Sequence, residues 1–263
     1  MRMSEKKYNF ALITGATSGI GRAFAKVLPP SVNLFLTGRN EEQLKELATK
    51  LHRDGRIIVT LSGDLADLTF RNELAEKASQ HPIDLFFNNA GVGVYGKFDK
   101  QDAGALSTTL GLNVAATSDL TYRLLPLLKR NKGAMIITSS VVGFIPTPYF
   151  AVYSASKAYN LFLAQALAEE LKPKGVHVMA LCPGATNTRF HKRAGIGESK
   201  TFNKGADAYG VAVGTYKALL KKKRVYIPGI GNKLFVFCVR FLPRTLLVQI
   251  AGRIIKSARN IAP

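Results

Sequence analysis

The sequence predicts a doubly wound α/β domain on a mostly parallel seven-stranded sheet, continued at its C-terminus by a helical extension. Three observations predict it. Seven short apolar runs alternate with helical stretches from Tyr8 to about Pro228, with no Pro/Ser/Gly-rich linker between them. Several of these runs are continuously apolar, which suits parallel strands buried on both faces. The first run leads straight into a glycine-rich turn and then a helix. The division expected from this pattern is one unit over residues 1–230 and an extension over residues 231–263.

The first strand is expected at Tyr8–Ile13, followed by Thr14-Gly15-Ala16-Thr17-Ser18-Gly19-Ile20-Gly21-Arg22. Ala23, Phe24, Val27 and Leu28 then recur at helical spacing until Pro29-Pro30 ends the segment. Strand, glycine turn and helix are the context of a Rossmann-type dinucleotide site. Gly15 permits a tight turn, Gly19 lets backbone approach a pyrophosphate, and Gly21 lets the helix pack on the strand. The helix N-terminus offers free N–H groups to the phosphates.

The second strand, Val32–Leu36, runs into Thr37-Gly38-Arg39-Asn40. Sites for NAD usually place an acid near this strand end, to bind the ribose 2′-hydroxyl. Here Gly38 and Arg39 occupy that place, while Glu41 and Glu42 suit the first turn of the next helix. An arginine without a neighbouring acid fits a 2′-phosphate, so NADP(H) is the expected cofactor. The remaining strands are expected at Arg56–Leu61, Ile83–Phe87, Ala134–Thr138, Val176–Leu181 and Arg224–Ile227.

After the fifth strand come Ser139 and Ser140, then Tyr153 and Lys157 at i and i+4. On a helix that spacing puts phenol and ammonium on one face. An ammonium beside a phenol favours the phenolate and lowers a pKa that is otherwise about 10. Ser140 could hold a carbonyl or alcohol oxygen against that phenol. Taken alone, Tyr153 and Lys157 are equally readable as a solvated surface pair.

Taken together, these motifs resemble the short-chain dehydrogenase/reductase family over most of the chain. The resemblance rests on Thr14 to Gly21, Asp64-Leu65, Asn88-Asn89-Ala90-Gly91, Asn113, Ser140, Tyr153, Lys157, Pro183-Gly184 and Thr188, in that order. It implies the strand order 3-2-1-4-5-6-7 and self-association as a dimer or tetramer through the long helices around Asn113 and Tyr153. It implies that Tyr153 is a general acid/base, that Lys157 lowers its pKa and holds the nicotinamide ribose, and that Ser140 orients the substrate oxygen. Asn113 is implied to fix a water linking Lys157 to solvent. Thr17, Ser18 and Ile20 join the three glycines around the cofactor, with Asp64 and Leu65 at the adenine. Asn89, Ala90 and Gly91 are implied at the adenosine ribose, and Pro183, Gly184 and Thr188 at the nicotinamide end. The function implied is hydride transfer between NADP(H) and a carbonyl or secondary alcohol. The rival reading is a sensor or scaffold that binds NADP(H) without turnover.

Phe144, Ile145, Pro146, Tyr149 and Phe150 suggest an apolar pocket wall, and thus an apolar ketone or acyl substrate. The segment Ala185 to Lys204 carries Arg189, His191, Lys192, Arg193 and Lys200 against Glu198, with Gly195 and Gly197 suggesting a lid. Cys182 and Cys238 suggest no disulfide framework, and a cytoplasmic location is expected. His52, His81, His177 and His191 show no metal-ligand spacing, so no metal is expected.

The formal charge is +20, and no Asp or Glu follows Asp207. The tail, Asn232 to Arg259, reads as two short helices creating an apolar, basic-rimmed surface. Three readings stay open: packing on this chain or a second subunit, peripheral contact with the anionic inner face of a membrane, and, least favoured, nucleic-acid binding. Arg240, Pro243 and Arg244 break the run well short of the ~20 apolar residues a spanning helix needs.

Overall fold

The computed structural model describes residues 8–190, 194 and 205–257. Its centre is a seven-stranded sheet in the order β3-β2-β1-β4-β5-β6-β7, every neighbouring pair parallel. The strands are β1 (Phe10–Thr14), β2 (Asn33–Gly38), β3 (Ile58–Ser62), β4 (Leu85–Asn88), β5 (Ala134–Thr138), β6 (His177–Leu181) and β7 (Val225–Tyr226). This is the fold class that the sequence predicts and the strand order that the family resemblance implies. Alternate residues of β1 feed two cores: Phe10 and Leu12 pack into one, Ala11 and Ile13 into the other. A continuously apolar run is what that two-sided burial requires.

Around the sheet lie α1 (Gly19–Val27), α2 (Glu41–Leu51), α3 (Leu68–Ser79), α4 (Ala103–Leu110), α5 (Thr117–Arg130), α6 (Ala151–Glu170) and α7 (Ala208–Leu220). Asn40, Asp67, Asp102 and Asp207 cap α2, α3, α4 and α7 through their side-chain oxygens. Two tail helices follow, α8 (Ile230–Cys238) and α9 (Arg244–Ser257), joined by a short 3₁₀ turn at Val239–Phe241.

The strand boundaries differ from the sequence reading for definite reasons. Arg56 stands before β3 because its guanidinium turns back to donate to the carbonyls of Val32 (2.8 Å), Leu51 (3.3 Å) and Pro29 (3.4 Å). Asp84 precedes β4 and accepts from the backbone N–H groups of Asn9 and Phe10, tying the start of β1 to its neighbour. The helix expected around Asn113 is interrupted by a π-helical turn, Gly111–Ala116, between α4 and α5. Such turns occur often at functional sites.

Candidate active site

The carboxyl ends of the strands open onto a cleft of about 570 Å³. At one end lies the turn after β1. Gly15 (φ +66°) and Gly19 (φ +54°) hold left-handed backbone, which L side chains adopt with strain. Gly21 is needed for a different reason: a Cβ there would lie 2.5 Å from the Gly15 carbonyl oxygen and 2.6 Å from Asn89 Nδ2. Ser18 begins α1 without a side-chain hydrogen bond to cap it, so the helix's first N–H groups have no side-chain partner there. A backbone cradle of this kind fits a pyrophosphate, and Thr17, Ser18, Gly19 and Ile20 line it.

Thr14, at the end of β1, opens the glycine motif, but the sequence reading gives it no role of its own. Its hydroxyl accepts from the N–H groups of Asn89 (2.8 Å) and Ala90 (3.0 Å), while Asn89 Nδ2 donates to the Thr14 carbonyl (3.0 Å). These bonds bring the turn after β4 to the glycine turn. The partners lie 75 residues apart or more, so no local signal in the sequence could reveal them. Asn89, Ala90, Gly91, Asp64 and Leu65 all line the cleft. Asp64 Oδ1 accepts from the Ala66 N–H at 2.9 Å, and Leu65 is buried.

Arg39 stands exposed at the cleft edge beside Gly38 and Asn40. Glu41 turns along α2 to pair with Lys45 at 2.6 Å. Pro183, Gly184 and Thr188 line the cleft after β6, where the Thr188 methyl would meet a Cβ on Gly19 at 3.0 Å. Thr188 thus bridges the β6 loop to the phosphate cradle. Arg189 reinforces that bridge, donating to the Thr17 carbonyl (3.3 Å) and to Gln43 Oε1 (2.8 Å). His191, Lys192, Arg193, Gly195, Gly197, Glu198 and Lys200 lie outside the described residues.

Ser140, Tyr153 and Lys157 meet deeper in the cleft. Ser140 lies just after β5, donating to the Pro183 carbonyl (3.2 Å) and accepting from the Val142 N–H (3.3 Å). Tyr153 and Lys157 come from α6. The Tyr153 ring stacks on Phe150 (4.3 Å between centroids) and tilts against Phe190 (5.2 Å). Lys157 Nζ donates to the Thr138 carbonyl at 3.0 Å and sits 5.7 Å from the Tyr153 ring centroid. Burial rules out the solvated-pair reading, since Tyr153 is 8% and Lys157 3% exposed.

Burial also changes the electrostatics expected from the sequence. The Tyr153 phenol is pushed above its usual value by desolvation, which the neighbouring Ser140 side chain opposes only in part. The expected lowering by Lys157 does not prevail: its ammonium is directed to a backbone carbonyl, and burial pushes its own pKa down to about 8. Nearby, burial pushes the Cys182 thiol up to about 12, as suits a packing residue.

Asn113 is fully buried in the π turn, and its side chain is committed to protein partners. Nδ2 donates to the Val92 carbonyl (2.8 Å) and Ser156 Oγ (2.9 Å), and Oδ1 accepts from the Val92 N–H (3.0 Å). It pins the loop after β4 to the helix that carries Tyr153 and Lys157. Among the described residues, no three His, Cys, Asp or Glu side chains cluster as a metal ion would need.

The family pattern described as short chain dehydrogenase matches residues 9–198. The chain belongs to the short-chain dehydrogenase family and is an oxidoreductase of the kind that uses a nicotinamide cofactor. It is similar to an uncharacterised oxidoreductase of Staphylococcus epidermidis, at 31% identity over 86% of this chain and 96% of the other. Among solved structures it resembles a short-chain dehydrogenase from Sphingobium yanoikuyae in complex with NADPH, with 29% identity and TM-score 0.80, over 88% of this chain and 92% of that one. It also resembles the bulky-bulky ketone specific alcohol dehydrogenase from Comamonas testosteroni, with 28% identity and TM-score 0.76, over 89% and 93% of the two chains.

Proposed function

We propose that this protein is an NADP(H)-dependent reductase or dehydrogenase that interconverts an apolar ketone or acyl carbonyl with its secondary alcohol. The observation that carries the reading is one cleft with a phosphate cradle at one end and Ser140, Tyr153 and Lys157 at the other. A bound nicotinamide supplies or accepts the hydride. Tyr153 gives a proton to the carbonyl oxygen in reduction and takes it back in oxidation. Its raised pKa keeps the phenol protonated at neutral pH, as a proton donor requires. Ser140 orients the substrate oxygen, and Lys157 holds the ribose hydroxyls. Asn113 is a positioning residue acting through Val92 and Ser156. Leu112, Val142, Phe150 and Phe190 give the substrate end apolar walls.

Residues 1–230 form the catalytic unit in this reading, and residues 231–263 the extension. A homo-oligomer forms through the faces of α4, α5 and α6 that expose Leu110, Tyr122, Tyr159 and Phe162. Turnover of NADPH with a panel of bulky ketones, aldehydes and acyl thioesters tests the function. NADPH binding with no turnover across the panel would favour the sensor or scaffold instead.

Arg39 is the proposed determinant of cofactor choice. Arg39→Ala should weaken NADPH binding by about 10- to 100-fold, the loss of one or two charge-assisted hydrogen bonds, and leave NADH nearly unchanged. Titration of both cofactors against both proteins checks this; tighter NADH binding by the unmodified protein would reverse the assignment.

A pH dependence follows from Lys157. Its ammonium is charged below about 8 and neutral above, whereas the Tyr153 phenol stays protonated across that range. For reduction, kcat/KM for NADPH, which reports ionisations of the free enzyme, should be level up to about 8 and then fall about tenfold per pH unit. A plateau reaching the usual range of lysine, about 10.4, would contradict the depressed value.

A further inference from the structure

The C-terminal helices carry a surface that the proposed reaction does not use. On α8 and the turn after it, Ile230, Leu234, Phe237 and Phe241 follow one another at helical spacing and are 84, 61, 56 and 72% exposed. Phe237 and Phe241 pack edge to face, 5.1 Å between centroids. Leu246 and Ile254 of α9 are exposed as well. The inward faces are already satisfied, because Val236, Val239, Leu247 and Ala251 are buried. These helices therefore have an apolar face in excess of what the core consumes.

The charge around this face has one sign. Lys233, Arg240, Arg244, Arg253 and Lys256 are exposed on the same helices, no acid follows Asp207, and no described carboxylate pairs with them. Two copies meeting face to face about a two-fold axis would set these like charges against one another. A bilayer with anionic headgroups satisfies both halves of the pattern: phosphates pair with the cations while the side chains of Phe237 and Phe241 enter the acyl boundary. We infer that the α8–α9 surface docks this protein onto an anionic lipid bilayer.

The inward side of the helices that carry this face packs beside the cleft, against Gly184 of its lining. The side chain of Asn232 abuts Gly184, where a Cβ would lie 2.6 Å from its Nδ2, and a Cβ on Gly252 would lie 3.3 Å from Pro148. Access of lipid-dissolved ketones to the cleft from the bilayer rests on the proposed reaction; the docking itself does not, and vesicles test it without turnover.

The chain contains no Trp, so Phe241→Trp introduces its single tryptophan, which can be excited apart from the tyrosines. Its emission should shift to the blue with phosphatidylcholine vesicles containing phosphatidylglycerol, but not with phosphatidylcholine alone, and recover in high salt. Each basic residue neutralised should weaken partitioning about fivefold, so Arg240→Gln with Arg244→Gln should lose about 25-fold. Phe237→Ser with Phe241→Ser should abolish sedimentation with these vesicles while NADPH affinity stays unchanged. Absence of any blue shift or sedimentation, or equal binding by the neutralised variant, would overturn the inference. A fall in oligomeric mass by sedimentation velocity for the double Ser variant would also overturn it, by assigning the face to a second copy.

Discussion

Replacing Tyr153 by Phe is expected to lower kcat for ketone reduction about 1,000-fold, within the range for loss of a positioned proton donor. NADPH affinity should change by less than a few-fold. The two readouts separate because Phe keeps the ring that stacks on Phe150 and tilts against Phe190. What it removes is the hydroxyl that lies beside the Ser140 side chain. Lys157 keeps its bond to the Thr138 carbonyl in the variant, so the cofactor end should be undisturbed. Stopped-flow kinetics with saturating NADPH and fluorescence titration of the cofactor check the pair of values. A variant as fast as the parent would remove Tyr153 from the chemistry.

The second large effect is expected at Gly21. A methyl there would stand 2.5 Å from the Gly15 carbonyl and 2.6 Å from Asn89 Nδ2. The first contact is backbone in a tight left-handed turn, and the second is the amide that holds that turn to the segment after β4. Neither can yield without moving the cradle. Gly21→Ala should therefore cost about 1–3 kcal/mol of stability, the usual penalty for overpacking, and weaken NADPH binding at least about tenfold by displacing the donors around the phosphates. Gly111→Ala is the control. Gly111 has helical backbone (φ −55°) and open space where a Cβ would go. Alanine there should be neutral or mildly stabilising. Thermal unfolding of both variants, with and without NADPH, gives the comparison; equal behaviour would contradict the close packing at Gly21.

The sheet was readable from the sequence because its cause is local. Strands buried on both faces need unbroken apolar runs, and Phe10 to Ile13 serve two cores at once. The glycine turn was readable for a similar reason: left-handed backbone at Gly15 and Gly19 restricts residue type at the position itself. The π turn around Asn113 was not, since a shift in helical hydrogen bonding leaves no mark on composition. Nor were the bonds of Thr14 to Asn89 and Ala90, which join residues brought together only by β1–β4 pairing.

The electrostatics of Tyr153 and Lys157 were misjudged for a physical reason. Spacing put both on one helix face, but it could not say how far both would be removed from water. Desolvation then moves the phenol up and the ammonium down. In the tail, the sequence predicted two amphipathic helices. The structure shows α8 apolar on both faces, with Val236 buried and Phe237 exposed.

Transfer of deuterium from NADPH labelled at the reactive C4 position tests the central claim most directly. The labelled cofactor is incubated with the protein and a panel of bulky ketones, and each product is examined by mass spectrometry. The account predicts an alcohol one mass unit heavier, with the label on the carbinol carbon, and none formed by Tyr153→Phe on the same timescale. NADPH that binds with good affinity while no labelled alcohol forms from any ketone, aldehyde or acyl thioester would contradict it.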